Sequence, residues 1–145
     1  MNANAFRIDV HNHIIPAEYL KELESIGITN SLGRSFPAWS AEKTLAVMDA
    51  NGIRAAVVSL SSPGVFFGDA PFARRAARLV NEVSAKLVAD HPGRFGAFAT
   101  LPLPDTAAAL DEMAHALDTL RLDGVVVLSN FAGIYLGDSR FDELY

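Results

Sequence analysis

Short apolar runs alternate with longer segments of helical periodicity along the whole chain. A run of about four to eight apolar residues between turn signals is typical of a buried strand, whereas apolar residues three and four positions apart indicate an amphipathic helix. The runs that predict strands cover residues 6–10, 55–60, 95–100 and 124–128. The predicted helix starts are Pro16, Ala41 after the N-cap Ser40, the segment after the loop 61–69, Asp105 or Thr106, and Ser139.

This alternation of strands and helices predicts an α/β fold built from right-handed parallel β-α-β units. Such units close in two common ways, as an open doubly wound sheet or as an eight-stranded (β/α)8 barrel. The chain length favours the open sheet. Two features argue against the open sheet. The first strand leads into no glycine-rich phosphate-binding turn. Polar residues lie at the carboxyl end of that strand, where barrels carry their active sites.

Those polar residues are Asp9, His11 and His13. Because side chains alternate along a strand, all three are predicted to share one face, with the two histidine Cα atoms about 7 Å apart. Two imidazoles at this spacing can bind one metal ion, but a catalytic site needs about three protein ligands. The simpler interpretation is a strand end whose imidazoles are solvated or bonded to nearby carbonyls.

Composition and charge narrow the function classes. The 145 residues are 50% apolar and 20% charged, which predicts a globular domain. The net charge is −5 and no basic cluster is present, so nucleic acid is not an expected partner. There is no apolar stretch long enough for a membrane span and no signal-like start, so a cytoplasmic protein is expected. Without cysteine, a metal site must use histidine, carboxylates and water.

Five short motifs follow one another along the chain. They are DVHNH (9–13), MDANGI (48–53), LSSPG (60–64), PGRFG (92–96) and LPLP (101–104). In this order they resemble the amidohydrolase superfamily, and within it the branch of aminocarboxymuconate semialdehyde decarboxylase and 6-methylsalicylate decarboxylase. The resemblance covers essentially the whole chain.

The resemblance implies a (β/α)8 barrel with one divalent metal ion, usually zinc, near the carboxyl ends of the strands. His11 and His13 match the two ligands that follow strand one. A further histidine, an aspartate and a catalytic histidine come from later strands, which residues 1–145 do not include. The chain is therefore expected to be the first half of such a barrel, about four β/α units, either as a truncated form or as a natural half-length protein.

The expected activity of the parent protein is metal-dependent decarboxylation of a small aromatic or unsaturated carboxylic acid. No catalytic residue is expected in this half, which we expect to be inactive alone. Thr44 and Ala46 stand where the semialdehyde decarboxylase has carboxylate-binding arginines, which favours the salicylate-like branch. The candidate substrate contacts in the loops after the strands are Arg34, Trp39, Ser61, Phe66, Asn130 and Tyr135.

Two alternatives remain open at this stage. One is a hydrolase of a lactone or amide that uses the same ion. The other is a non-catalytic module, either a half barrel or an open sheet, although a receiver-type sheet would need an aspartate where Thr100 ends the third strand. Asp9 is expected to hydrogen-bond near the strand end, and His91 and His115 to lie on the surface. Unpaired edges of a half barrel would favour assembly, so homo-oligomers are possible partners.

Overall fold

The computed structural model describes residues 6–31 and 33–145. Residues 1–5, on which part of the localisation prediction rests, and Leu32 in the long predicted loop lie outside the described residues. Within the described part, no helix has the length and apolar character that crossing a bilayer requires.

Strands and helices alternate as the periodicity predicts. Two small antiparallel hairpins, β2 with β3 and β7 with β8, interrupt the main pattern. The elements in chain order are β1 (Arg7–Ile14), α1 (Ala17–Ser25), β2 (Asn30–Ser31), β3 (Arg34–Ser35), α2 (Ala41–Ala50), β4 (Ile53–Leu60), α3 (Ala70–Asp90), β5 (Phe95–Thr100), α4 (Thr106–Ala114), a π-helical turn (His115–Thr119), β6 (Gly124–Val126), β7 (Asn130–Phe131), β8 (Ile134–Tyr135) and a 3₁₀ helix (Ser139–Leu144).

The main sheet has four parallel strands in the order β1-β4-β5-β6. Each strand lies beside the next one along the chain, so every crossover steps in the same direction. Right-handed crossovers that never reverse put their helices on one face of the sheet, which is the winding of a barrel. A doubly wound sheet would reverse its strand order. The predicted half of a (β/α)8 barrel is therefore confirmed, and the open-sheet alternative is wrong.

The core lies between the sheet and its helices. Ala56 and Val58 of β4 and Ala97 of β5 are fully buried and pack with Met48 of α2 and Leu87 of α3. Small side chains on the sheet allow the helices to approach closely. The core therefore covers one face of the sheet and leaves the opposite face, which would be the barrel interior, without helices.

Most predicted boundaries agree with the structure, and the differences have local causes. Ser40 is the N-cap of α2, where its hydroxyl accepts a hydrogen bond from the Lys43 backbone N–H at 3.3 Å. Strand β5 has the predicted bounds. By contrast, β1 continues beyond residue 10 to Ile14. The sequence prediction ended too early because polar side chains on the open face of the strand interrupt the apolar run. The last helix is a 3₁₀ helix.

Exposed apolar side chains concentrate at the two edges of the main sheet. On β1, Ile8 is 52% and Val10 is 65% exposed, and at β6 Val125 and Val127 are also exposed. Both strands have a neighbour on one side only within the described residues. These edges are the ones that further strands of a barrel would cover.

Candidate metal-binding cleft

Strand β1 contains an irregularity that changes which face each residue occupies. Asp9 lies in register with Ala56, and Asn12 lies in register with Val58, so three residue steps on β1 oppose two on β4. One extra residue of this kind is a β-bulge and inverts the alternation beyond it. Asp9 and Asn12 therefore share the helix-covered side. The prediction that Asp9 shares a face with His11 and His13 is wrong for this reason.

Asp9 serves this bend in the strand through hydrogen bonds. Its Oδ2 accepts from Asn12 Nδ2 at 3.1 Å, and its Oδ1 accepts from the His11 backbone N–H at 3.0 Å. These two bonds lower the pKa of the Asp9 carboxyl below its usual range, and the bond from Asn12 has the larger effect. The ionised Asp9 carboxylate therefore links residues across the bulge and stabilises the backbone that carries both histidines.

His11 and His13 lie beside one another on β1. Their ring centroids are 4.8 Å apart and the rings meet edge to face at 75°. Both side chains are exposed, so a metal ion can reach them. Among the described residues, no three histidine, aspartate or glutamate side chains come together as a complete set of metal ligands. The donor set therefore fits half of a divalent metal site, as its two imidazoles predict.

A cleft of about 350 Å³ opens next to His13. The β2–β3 hairpin, the segment that follows it and the loop after β4 form its walls. Four of the residues predicted from sequence line it together, namely His13, Arg34, Trp39 and Ser61. The Arg34 side chain is exposed and makes the cleft a place where a carboxylate can meet a cation.

Trp39 forms part of the cleft wall and also contacts the core. Its side chain is half-buried and packs against the cluster that contains Met48. Its indole Nε1 is buried and has no hydrogen-bond acceptor among the described residues. Because a buried N–H without an acceptor is costly, this atom marks a position where a polar partner would be stabilising.

Three other predicted contacts do not line this cleft. Phe66 packs with the apolar cluster around Phe72, between α1 and α3. Asn130 stabilises the second hairpin, where its Oδ1 accepts from the Gly133 backbone N–H at 3.3 Å. Tyr135 is 68% exposed on β8. Phe66 lies in the loop after β4 as predicted, whereas Asn130 and Tyr135 belong to the β7–β8 hairpin rather than to a loop.

The sequence reasoning missed one polar residue of the site and misplaced two histidines. Ser59 contacts the ring of His13, yet it lies inside an apolar run; a lone polar residue near the end of a buried strand was the available signal. His91 is half-buried and meets Phe95 edge to face at 5.7 Å. His115 is also half-buried, with Nε2 enclosed and without a partner among the described residues. The prediction that both histidines lie on the surface is therefore wrong.

The fold and the site together define a segment of a (β/α)8 barrel with a histidine pair on its first strand. A sequence model described as Amidohydrolase matches residues 8–145. The chain belongs to the amidohydrolase family, which confirms the resemblance predicted from the motifs.

Curated relatives of the chain are named as decarboxylases. It is 40% identical over 145 residues to Decarboxylase yanB of Aspergillus niger, in an alignment that covers 96% of this chain and 39% of that protein. It is 33% identical over 143 residues to the 6-methylsalicylic acid decarboxylase acuB of Aspergillus aculeatus, covering 96% and 43%. The chain thus spans about two-fifths of the length of these relatives.

Solved structures share the same fold. A structure named amidohydrolase II superimposes with a TM-score of 0.89 at 32% identity, over 95% of this chain and 45% of that chain. A 5-carboxyvanillate decarboxylase variant of Novosphingobium aromaticivorans superimposes with a TM-score of 0.78 at 25% identity, over 97% of this chain and 46% of that chain. That structure contains bound manganese and 3-methoxy-4-hydroxy-5-nitrobenzoic acid.

Proposed function

We propose that this chain forms the metal-binding and acid-recognising part of a metal-dependent decarboxylase that acts on a small aromatic carboxylic acid. The observation that carries this proposal is the histidine pair of β1, of which His13 lines a cleft that also holds Arg34. The names of the relatives, which include a 6-methylsalicylic acid decarboxylase, support the same class of reaction.

His11 and His13 are the proposed protein ligands of one divalent ion. A bound divalent ion supplies Lewis acidity and a template that orients the substrate. Zinc is the ion expected from the resemblance to the family, whereas the carboxyvanillate decarboxylase holds manganese. Two imidazoles accept either ion, so metal analysis of the purified protein decides between them.

The cleft residues supply recognition of the acid. Arg34 is positioned to form a charge-assisted hydrogen bond with the substrate carboxylate, and its planar guanidinium matches the two carboxylate oxygens. Trp39 offers an apolar ring surface to a planar substrate. An aromatic carboxylic acid uses both features.

The remaining parts of the reaction lie with residues that the cleft does not contain. Among the described residues that line the cleft there is His13 but no acidic side chain. We assign the remaining metal ligands and the group that protonates carbon to the part of the relatives that this chain does not match. On this proposal the 145-residue chain by itself does not decarboxylate.

The test uses the full-length protein with bound metal and a panel of hydroxybenzoates and lactones. We expect stoichiometric release of carbon dioxide from at least one hydroxybenzoate, and its loss in His11→Ala and His13→Ala variants. Hydrolysis of a lactone without release of carbon dioxide from any acid would assign the same site to a hydrolase. An inactive wild-type protein that binds no metal would favour a non-catalytic module.

A further inference from the structure

Ser59 lies directly beside His13 across the β1–β4 strand pair. The two residues are in register, and Ser59 is only 6% exposed. The His13 Nδ1 atom is 3.2 Å from the Ser59 hydroxyl oxygen and 3.4 Å from the Ser59 carbonyl oxygen. Two oxygens of one buried residue therefore converge on a single nitrogen of the ring.

These contacts determine which ring nitrogen carries the proton. A carbonyl oxygen only accepts hydrogen bonds, so the contact with Ser59 is favourable when Nδ1 bears the hydrogen. The neutral ring then has its lone pair on Nε2. A metal ion binds that lone pair, and a histidine ligand commonly donates its other N–H to a carbonyl or similar acceptor.

We propose that Ser59 is a positioning residue that selects the tautomer and the orientation in which His13 presents Nε2 to the metal ion. This inference rests on the proposed metal site. It goes beyond that proposal because it assigns a role to a residue that the histidine motif does not contain.

The same contact orients His11 indirectly. Within the described part of the chain, the His11 ring has no hydrogen bond. It contacts the His13 ring edge to face, with the ring centroids 4.8 Å apart. Strand β4 lies inside the sheet and is paired on both sides, so Ser59 stands on a rigid support. A fixed His13 ring therefore limits the positions of its neighbour.

The experiment compares Ser59→Ala with matched variants of the full-length protein. Ser59→Ala removes the shorter contact and keeps the carbonyl, so we expect Mn²⁺ affinity, measured by chelator competition, to fall about 10-fold. Ser59→Thr retains the hydroxyl and should restore affinity to within about threefold of wild type. Ser84→Ala is the control, because Ser84 is also buried but donates to the Val80 carbonyl inside α3.

A second readout reports the tautomer without depending on any variant. In ¹⁵N-histidine-labelled, metal-free wild type, the ring signals of His13 should show a protonated Nδ1 and an unprotonated Nε2. Ser59→Ala should shift them only part of the way toward a mixture, because the Ser59 hydroxyl is lost while the backbone carbonyl acceptor remains. A wild-type His13 protonated at Nε2, or Ser59→Ala with unchanged signals and affinity, would overturn the role of Ser59. Retention of full Mn²⁺ affinity by His13→Ala would instead overturn the proposed metal site.

Discussion

Strands β1 and β5 belong to one sheet but follow different rules. Strand β5 lies between two partners, alternates regularly and is buried along its helix-facing side. Strand β1 lies at the edge, contains a bulge and exposes both histidines. The regular strand is built into the core, whereas the irregular strand exposes two imidazoles, one of which lines the open cleft. The departure from the pattern therefore marks the candidate site.

The two strands are also anchored differently at their carboxyl ends. At the end of β5, buried Asn81 accepts from the Thr100 backbone N–H at 2.8 Å and donates to the Thr100 carbonyl at 3.0 Å. Asn81 also donates to Glu112 Oε1 at 2.8 Å, and Arg78 pairs with the same carboxylate. At the end of β1, the contacts of His13 with Ser59 lie on the open face. The carboxyl end of β5 is therefore part of the core, whereas the carboxyl end of β1 is accessible.

The largest expected effect comes from removing the Asn81 anchor. Asn81→Ala leaves the backbone groups of Thr100 without their partner and the buried Glu112 carboxylate with Arg78 alone, so the free energy of unfolding should fall by about 3 kcal/mol. Urea unfolding measures this change. Asn51→Ala, at an exposed helix end, should cost under about 1 kcal/mol. Equal losses in both variants would show that β5 has no special anchor.

On the β1 side, Arg34→Ala should impair substrate binding rather than folding. Loss of the charge-assisted contact is expected to raise KM about 10-fold with a smaller change in kcat. Arg140→Ala is the control, because Arg140 pairs with Asp138 at the 3₁₀ helix. Steady-state kinetics of the full-length enzyme check this. An unchanged KM in Arg34→Ala would remove Arg34 from the recognition site.

Close packing at β5 predicts a smaller effect at Gly96. A Cβ at this position would lie 2.6 Å from the Asp123 carboxylate, which accepts from the Ala97 backbone N–H at 2.8 Å. Gly96→Ala should therefore lower the free energy of unfolding by about 1 kcal/mol, since the carboxylate must leave that hydrogen bond. Gly137→Ala meets open space. If Gly96→Ala were no less stable than Gly137→Ala, the close approach would not matter.

The smallest predicted effect is the pH dependence at Asp105, which caps α4 after β5. A hydrogen bond from Arg74, and then one from the Ala108 backbone, lower the pKa of the Asp105 carboxyl. A lowered folded-state pKa gives stability that is present above the unfolded-state pKa of about 4 and is lost as pH falls through the folded-state value.

Asp105→Asn should accordingly be less stable than wild type by about 0.5 kcal/mol at neutral pH, because both groups are partly exposed. The difference should vanish in acid, below the folded-state pKa. Unfolding curves across this pH range measure it. A difference that stays constant with pH would mean that the carboxylate charge contributes nothing.

Sequence reasoning succeeded where one physical rule governs a segment. The bounds of β5 and the N-caps Ser40 and Asp105 follow from burial and local hydrogen bonding. It failed at Asp9, because a bulge depends on pairing with β4 that one strand's sequence does not reveal. Arg34 and Trp39 were predicted from the same loop, and both line the cleft. Phe66 does not, because its position depends on tertiary packing against the cluster around Phe72.

The most direct test of the site is the position of the ion itself. A crystal structure of the full-length protein grown with Mn²⁺ should show an anomalous peak between the β1 imidazoles. The account predicts a peak within about 2.0–2.3 Å of one ring nitrogen of His11 and one of His13. A peak elsewhere with these two rings turned apart would contradict it.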